Sequence, residues 1–415
     1  VSEHASVLVI GGGIVGVSAA WYLAERGSGV TLLDKGEIAS GCSYGNAGWI
    51  FPSHSMPIPA PGVLRHALRF MGDVKSPLYV RARFDRDLLR FGLRFVAACS
   101  EKRARRAFGL RRELALASHA LYEKLAALPE LDLGYRQHGL LVVCEGQAAL
   151  REAEKEAGLI RELGGEARRL AEAEVRELVP LLQTPVAGAV LFPSDAHLVP
   201  DRAVRSLAEA AARRGVRVRT GVEVIGLDVT RGRVGRVETT RGPYTCDELV
   251  LAAGAWSPGL ARSLGLRLLV EPAKGYSVTV PRPEGFGDVP LMLAEAKVGI
   301  TPLEERVRFA GTLELAGLDL SVRSERLRAV RDAVARALPS LAAAEPLETW
   351  RGLRPLTPDD LPVIGRPRGL ANVVVATGHG MSGMCQGPIT GELVAQLVHG
   401  EPPTLHLAPF SPDRF

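Results

Sequence analysis

Three glycines and one acid are the residues of this chain whose spacing most directly implies chemistry. Gly11-Gly12-Gly13-Ile14-Val15-Gly16 follows the apolar run at residues 7–10 and precedes residues 17–26, whose apolar positions recur three and four apart. Gly11 permits a tight turn out of a strand. Gly13 lets a pyrophosphate approach the backbone, and Gly16 lets a helix pack close to the sheet. The helix N-terminus adds free N–H groups and a partial positive charge. A second strand, residues 29–33, ends in Asp34, 18 residues beyond Gly16. A carboxylate there accepts ribose hydroxyls and disfavours a 2′-phosphate. The pattern is that of a dinucleotide-binding unit, and not of an NADP type.

Three further stretches invite backbone contact with a ligand. Residues 35–48 are small and polar, with Lys35, Ser40, Gly41, Ser43, Asn46, Ala47 and Gly48 continuing from the glycine turn. A buried strand at 248–253 runs into Ala253-Gly254. A last strand at 372–376 runs into Thr377-Gly378-His379-Gly380-Met381-Ser382-Gly383. This second GxGxxG has no strand and acid after it, so it is not a second dinucleotide site. Its role is to aim a helix N-terminus, with Pro388 expected as first helical residue and the helix covering 388–399.

The elements that must position these residues follow from hydrophobic periodicity. Helices are expected over 63–71, 87–99, 103 onward, 147–163, 201–214 and 321–338. Strands are expected over 135–144, 217–219, 222–229 and 233–239, and an antiparallel sheet from 275–281, 297–302 and 306–315. Residues 81–145 and 267–345 read as a second domain. The first then consists of 1–80, 146–266 and 346–415.

The chain has 415 residues, 47% hydrophobic and 23% charged, enough for two or three domains. No apolar run of about 18 residues is present, and the first strand begins at Val7 without room for a signal peptide, so a cytoplasmic location is expected. The five cysteines are scattered without CxxC, against a metal site, a disulfide framework and a redox dithiol. The net charge of +5 conceals a basic stretch: residues 62–112 hold 14 Lys or Arg against 4 Asp or Glu. It reads as helices with solvated basic faces. The sharper alternative is a surface touching anionic lipid, peripheral to the inner face of the cell membrane. No nucleic-acid motif accompanies it.

Over nearly its full length the chain resembles flavoproteins of the D-amino-acid oxidase superfamily, and most of all its bacterial D-amino-acid dehydrogenase branch. The residues that carry this are 11–16, Ser43-Tyr44-Gly45-Asn46-Ala47-Gly48, Ala60-Pro61-Gly62-Val63, Lys274-Gly275-Tyr276-Ser277, residues 350–359 around Gly352-Leu353-Arg354-Pro355, and Thr377-Gly378-His379-Gly380. The resemblance implies an α/β protein: a Rossmann-type FAD-binding domain and an α+β substrate domain on an antiparallel sheet. It implies non-covalent FAD, because the Arg354 segment lacks the cysteine of sarcosine oxidases. It places Gly11, Gly13, Ile14, Val15 and Gly16 on the pyrophosphate, Asp34 on the ribose, and Ser40, Gly41 and Ser43 along the phosphate and ribityl chain. Val222 meets adenine, Ala253 and Gly254 close over the cofactor, and 378–383 lie beside the flavin ring. Arg354 is the expected clamp for a substrate carboxylate. Relatives add a tyrosine near 297–300, where this chain has Ala296-Lys297-Val298-Gly299. Tyr276 and Tyr44 are candidates to replace it, and His379 is a candidate to face the flavin. The implied reaction is oxidative deamination of a D-amino acid by hydride transfer from Cα to flavin N5, with a quinone or respiratory acceptor. Oxidation of glycine, sarcosine, D-proline or hydroxyproline with oxygen is the alternative, and a flavin-carrying electron-transfer subunit is the alternative of another class.

Overall fold

The computed structural model describes residues 2–63, 78–81 and 83–415. The helix expected over 63–71 falls largely outside them.

Two sheets organise the chain. Among the described residues the first has eight strands. Its parallel centre runs Arg217–Arg219, Val30–Leu33, Glu3–Ile10, Tyr244–Leu251 and Val373–Thr377 in space. Antiparallel strands Val224–Thr230, Arg233–Thr239 and Val363–Gly365 complete it. The apolar run at 7–10 is continuous because both faces are covered. Val7 and Val9 enter a core shared with the first helix, while Leu8 and Ile10 enter one with Val222, Leu249 and Leu264.

The first helix, Ile14–Glu25, is buried on nearly every side, as a helix apolar all round must be. It lies between the sheet and the last helix, Gly383–His399. Gly387 and Gly391 permit the close crossing: a Cβ at either would overlap Ile14 or Ser18. The last helix starts five residues earlier than expected, with Pro388 inside it. Pro388 cannot donate to the Met384 carbonyl. Tyr122 Oη donates to that carbonyl instead, at 2.6 Å, which keeps the proline tolerable.

The second sheet has nine strands among the described residues and is mostly antiparallel. In space it runs Glu348–Leu356, Glu271–Pro281, Arg306–Leu315, Val298–Leu303, Leu291–Leu293, Leu140–Cys144, Gly188–Phe192 and Arg168–Leu170, with Leu78–Val80 also pairing to Arg306–Leu315. The helix Ser324–Ala337 supplies Val330, Ala333, Val334 and Ala337 to the core on one face. Residues 78–80, 168–170, 188–192 and 348–356, in ranges assigned to the first domain, form strands that pair into this sheet. Their partners are distant in sequence, so no local pattern marks which sheet they join. The strand expected from Tyr135 begins only at Leu140, since Gly139 turns the chain at φ 81°.

Candidate active site

At the carboxyl edge of the first sheet the glycine turn has the expected build. Gly11 has φ 117°, and a Cβ there would overlap the Ala252 carbonyl; one at Gly16 would overlap that of Gly11. No acid occupies the first turn of the helix and Gly13, its N-cap, has no side chain. Ser43 Oγ accepts from the Ile14 N–H at 3.0 Å, tying the 40–48 loop to the helix N-terminus. Asp34 Oδ2 accepts from Gly12 N–H at 2.6 Å and Oδ1 from Gly36 N–H at 2.7 Å. A carboxylate has about four acceptor sites, so it retains capacity for hydroxyls. The Val222 N–H is taken by the Asp34 carbonyl at 2.9 Å. Lys35 Nζ lies 3.9 Å above the Trp256 ring, two residues past Gly254.

The 40–48 loop is fixed from the second sheet. Arg308, almost fully buried, donates to the carbonyls of Tyr44 and Asn46 at 2.9 and 3.3 Å. Thr301 Oγ1 donates to the Ala47 carbonyl at 2.9 Å. Asn46 spends its amide inside the loop, donating to Ser43 O and accepting from Gly48 N–H. The turn at 377–383 is fixed from below by Arg111, which donates to Ser55 O, Asp360 O and Ser382 Oγ and pairs with Asp360 at 2.9 Å. Arg111 belongs to the basic stretch expected to be solvated, yet it is buried. Nothing local distinguishes it from its exposed neighbours Arg105 and Arg106.

Arg354 lies on Glu348–Leu356, opposite Ala273. The next residue, Pro355, accepts a hydrogen bond from Gly380 N–H at 2.8 Å, so strand and turn are directly joined. Space for the guanidinium exists because position 275 is glycine; a Cβ there would overlap it. Its Nη1 donates to the Thr312 carbonyl at 2.9 Å. The neighbouring acids are committed elsewhere: Asp359 to Arg414 at 2.9 Å and Asp360 to Arg111. Among the described residues no carboxylate pairs with Arg354. Burial pulls its guanidinium below the usual arginine range. Cys42 lies near enough for the two groups to feel each other's charge, and burial pushes its thiol up. The sequence signal for Cys42 was absent, since a lone cysteine in a small-residue loop has no diagnostic spacing.

Three of the expected substrate-side residues sit away from Arg354. Tyr276 pairs with Arg351, an odd number of residues from Arg354, and so projects from the opposite face of the sheet. Its hydroxyl donates to Glu314 Oε2 at 3.0 Å. The Tyr44 ring lies 5.8 and 5.9 Å from the guanidinium groups of Arg205 and Arg308, beside Glu348. Glu348 is six residues along the strand from Arg354, about 20 Å at strand rise. His379 is buried beneath the turn, with Nε2 2.9 Å from Thr390 Oγ1. Thr390 gives its hydrogen to the Gln386 carbonyl, so Nε2 is the donor. Burial pushes His379 down to about 3, which keeps it neutral. Of the residues around the turn, Met381 is exposed and Ser382 is taken by Arg111.

A parallel sheet with a glycine cradle at a helix N-terminus and an acid ending the second strand is the build of a dinucleotide-binding protein. The chain belongs to the FAD dependent oxidoreductase family (DAO), whose profile matches residues 6–397. A D-amino acid dehydrogenase of Paramagnetospirillum magneticum is 37% identical over 99% of this chain and 98% of the relative. One of Methylobacterium nodulans is 35% identical over 96% of both. Among solved structures, glycine oxidase from Geobacillus kaustophilus superposes with a TM-score of 0.81 at 25% identity, covering 100% of each chain. Iminodiacetate oxidase from Chelativorans gives 0.75 at 27% identity, covering 98% of each. FAD is therefore the cofactor of the family, and the cradle fits it: the glycines put no side chain over the helix N-terminus, where Ser43 Oγ takes the Ile14 N–H, and Asp34 keeps acceptor capacity for hydroxyls.

Proposed function

We propose that the chain oxidises D-amino acids to 2-oxo acids and ammonia. The observation that carries this reading is Arg354, a half-buried guanidinium without a carboxylate among the described residues, joined through Pro355 to the 377–383 turn. Two full-length relatives named D-amino acid dehydrogenase support the substrate class.

Gly11, Gly13, Ile14, Val15 and Gly16 hold the pyrophosphate, Asp34 the ribose, and Ser40, Gly41 and Ser43 the chain between. Asn46, Ala47 and Gly48 shape the loop, Ala253 and Gly254 close over the cofactor, and Gly378, Gly380 and Gly383 let the turn approach it. Bound FAD, held without a covalent bond, supplies the two-electron acceptor for the hydride that leaves Cα. Arg354 receives both carboxylate oxygens, which fixes the position and tilt of the Cα–H bond. The substrate amine gives its proton to water beforehand, and the imino acid hydrolyses after release. Neutral His379 packs under the turn and carries no charge in the step. The test is anaerobic bleaching of the flavin by a panel of D- and L-amino acids. Reduction by D-amino acids is expected; reduction by L-amino acids alone overturns the reading.

The electron acceptor in this proposal is a quinone or another respiratory carrier, reached at a membrane surface. No helix among the described residues is long and apolar enough to cross a membrane. The helix Arg86–Ala98 instead exposes Leu89, Leu93 and Val96 along one side, with Arg90 and Arg94 beside them. That combination suits an anionic bilayer surface. Turnover with a quinone analogue should exceed peroxide release; stoichiometric peroxide would instead favour the oxygen-using reading.

A further inference from the structure

The second sheet has a backbone irregularity beside Arg354. Lys274 pairs with Glu314 and Tyr276 with Gly311, so Thr312 and Leu313 together oppose the single residue Gly275. This is a β-bulge. Thr312 has φ 65°, in the left-handed region that β-branched residues avoid. The bulge turns the Thr312 carbonyl onto Arg354 Nη1 at 2.9 Å. It also leaves Thr312 Oγ1 buried, with no hydrogen-bond partner among the described residues. A strained residue with an unpaired buried hydroxyl is costly, and such residues concentrate where a ligand completes the structure.

The bulge and the guanidinium share a neighbourhood. Gly275, which the bulge opposes, is also the residue whose missing side chain admits Arg354. Thr312 spends one of the five guanidinium N–H donors through its carbonyl and leaves the remainder for a ligand. We propose that Thr312 is a second substrate-binding residue: its hydroxyl donates to the same carboxylate that Arg354 receives. This rests on the reading of Arg354 as the carboxylate clamp. It fills the place for which Tyr276 and Tyr44 were candidates, both of which are directed elsewhere. A carboxylate accepts only, so the hydroxyl hydrogen has an unambiguous destination. The bulge thus orients the clamp with its carbonyl and extends it with its side chain.

The test compares D-alanine with D-alaninamide in anaerobic flavin reduction by the full-length holoprotein. Thr312→Val and Thr312→Ala should each raise the half-saturating D-alanine concentration about tenfold while changing the limiting rate less than about threefold. The same variants should leave D-alaninamide nearly unchanged, and Thr312→Ser should stay within about twofold of the parent. The alanine variant carries the test should valine at positive φ prevent folding. An equal effect on acid and amide, or unchanged D-alanine saturation while the parent still prefers the acid, overturns the assignment of Thr312 alone. A parent protein indifferent to the carboxylate overturns the reading of Arg354, and the Thr312 proposal with it.

Discussion

Three adjacent strands of the second sheet, Glu348–Leu356, Glu271–Pro281 and Arg306–Leu315, carry positive charge in opposite ways on their two faces. Toward the helix Ser324–Ala337, Lys274 and Glu314 are fully buried 3.5 Å apart. Asp319 lies 3.3 Å from Lys274, and Arg323 and Arg326 lie 3.2 and 3.6 Å from Glu314. Tyr276 donates into the same group. On the other face Arg354 meets a backbone carbonyl and, among the described residues, no acid. Removing an ion from water costs several kcal/mol unless a partner is supplied. The first face supplies its partners within the chain and is structural. The second has no such partner among the described residues, and the proposed function puts the substrate carboxylate there.

The contrast yields graded expectations. Glu314→Gln removes the carboxylate that Lys274, Arg323 and Arg326 share on the closed face and should cost about 3–5 kcal/mol of stability. Urea unfolding checks this, and a loss below about 1 kcal/mol would mean that the network is not organised around Glu314. Arg354→Ala should act on the open face instead, raising KM at least about a hundredfold, about 2.7 kcal/mol, while flavin stays bound. Unchanged KM would move the substrate elsewhere.

His379 sharpens the picture through pH. Its folded-state value of about 3 lies below the ordinary histidine value of 6.5. Between those values the unfolded chain binds a proton that the native chain does not, so stability falls as pH drops from about 6.5 toward 3. His379→Gln should make that acid limb shallower in Tm measured from pH 8 to pH 4; an identical slope would contradict the burial argument. The smallest effect belongs to Tyr276→Phe. It should lose about 1 kcal/mol of stability with KM within about twofold, because the hydroxyl serves the closed face.

Local features were legible from residues alone. The glycine turn, its helix and Asp34 lie within thirty-odd residues and obey short-range rules, so they appear where expected. Arg354 came through resemblance, and the structure adds why it is uncompensated. What escaped was what depends on register. Tyr276 and Arg354 are separated by strand pairing, and only the pairing Tyr276–Arg351 shows that they face apart. Thr312 escaped for the same reason, since threonine is a poor marker of positive φ and the bulge exists only against Gly275. Arg111 looked like its exposed basic neighbours until tertiary contacts buried it, and Pro388 looked like a helix start because its substitute donor, Tyr122, is 266 residues away.

The most direct test of Arg354 as the carboxylate receptor is the ratio of kcat/KM for D-alanine over D-alaninamide, measured for the parent and for Arg354→Ala. The parent should favour the acid by at least about a hundredfold, and the variant should bring the ratio close to one. An acid preference that survives loss of the guanidinium would contradict the account.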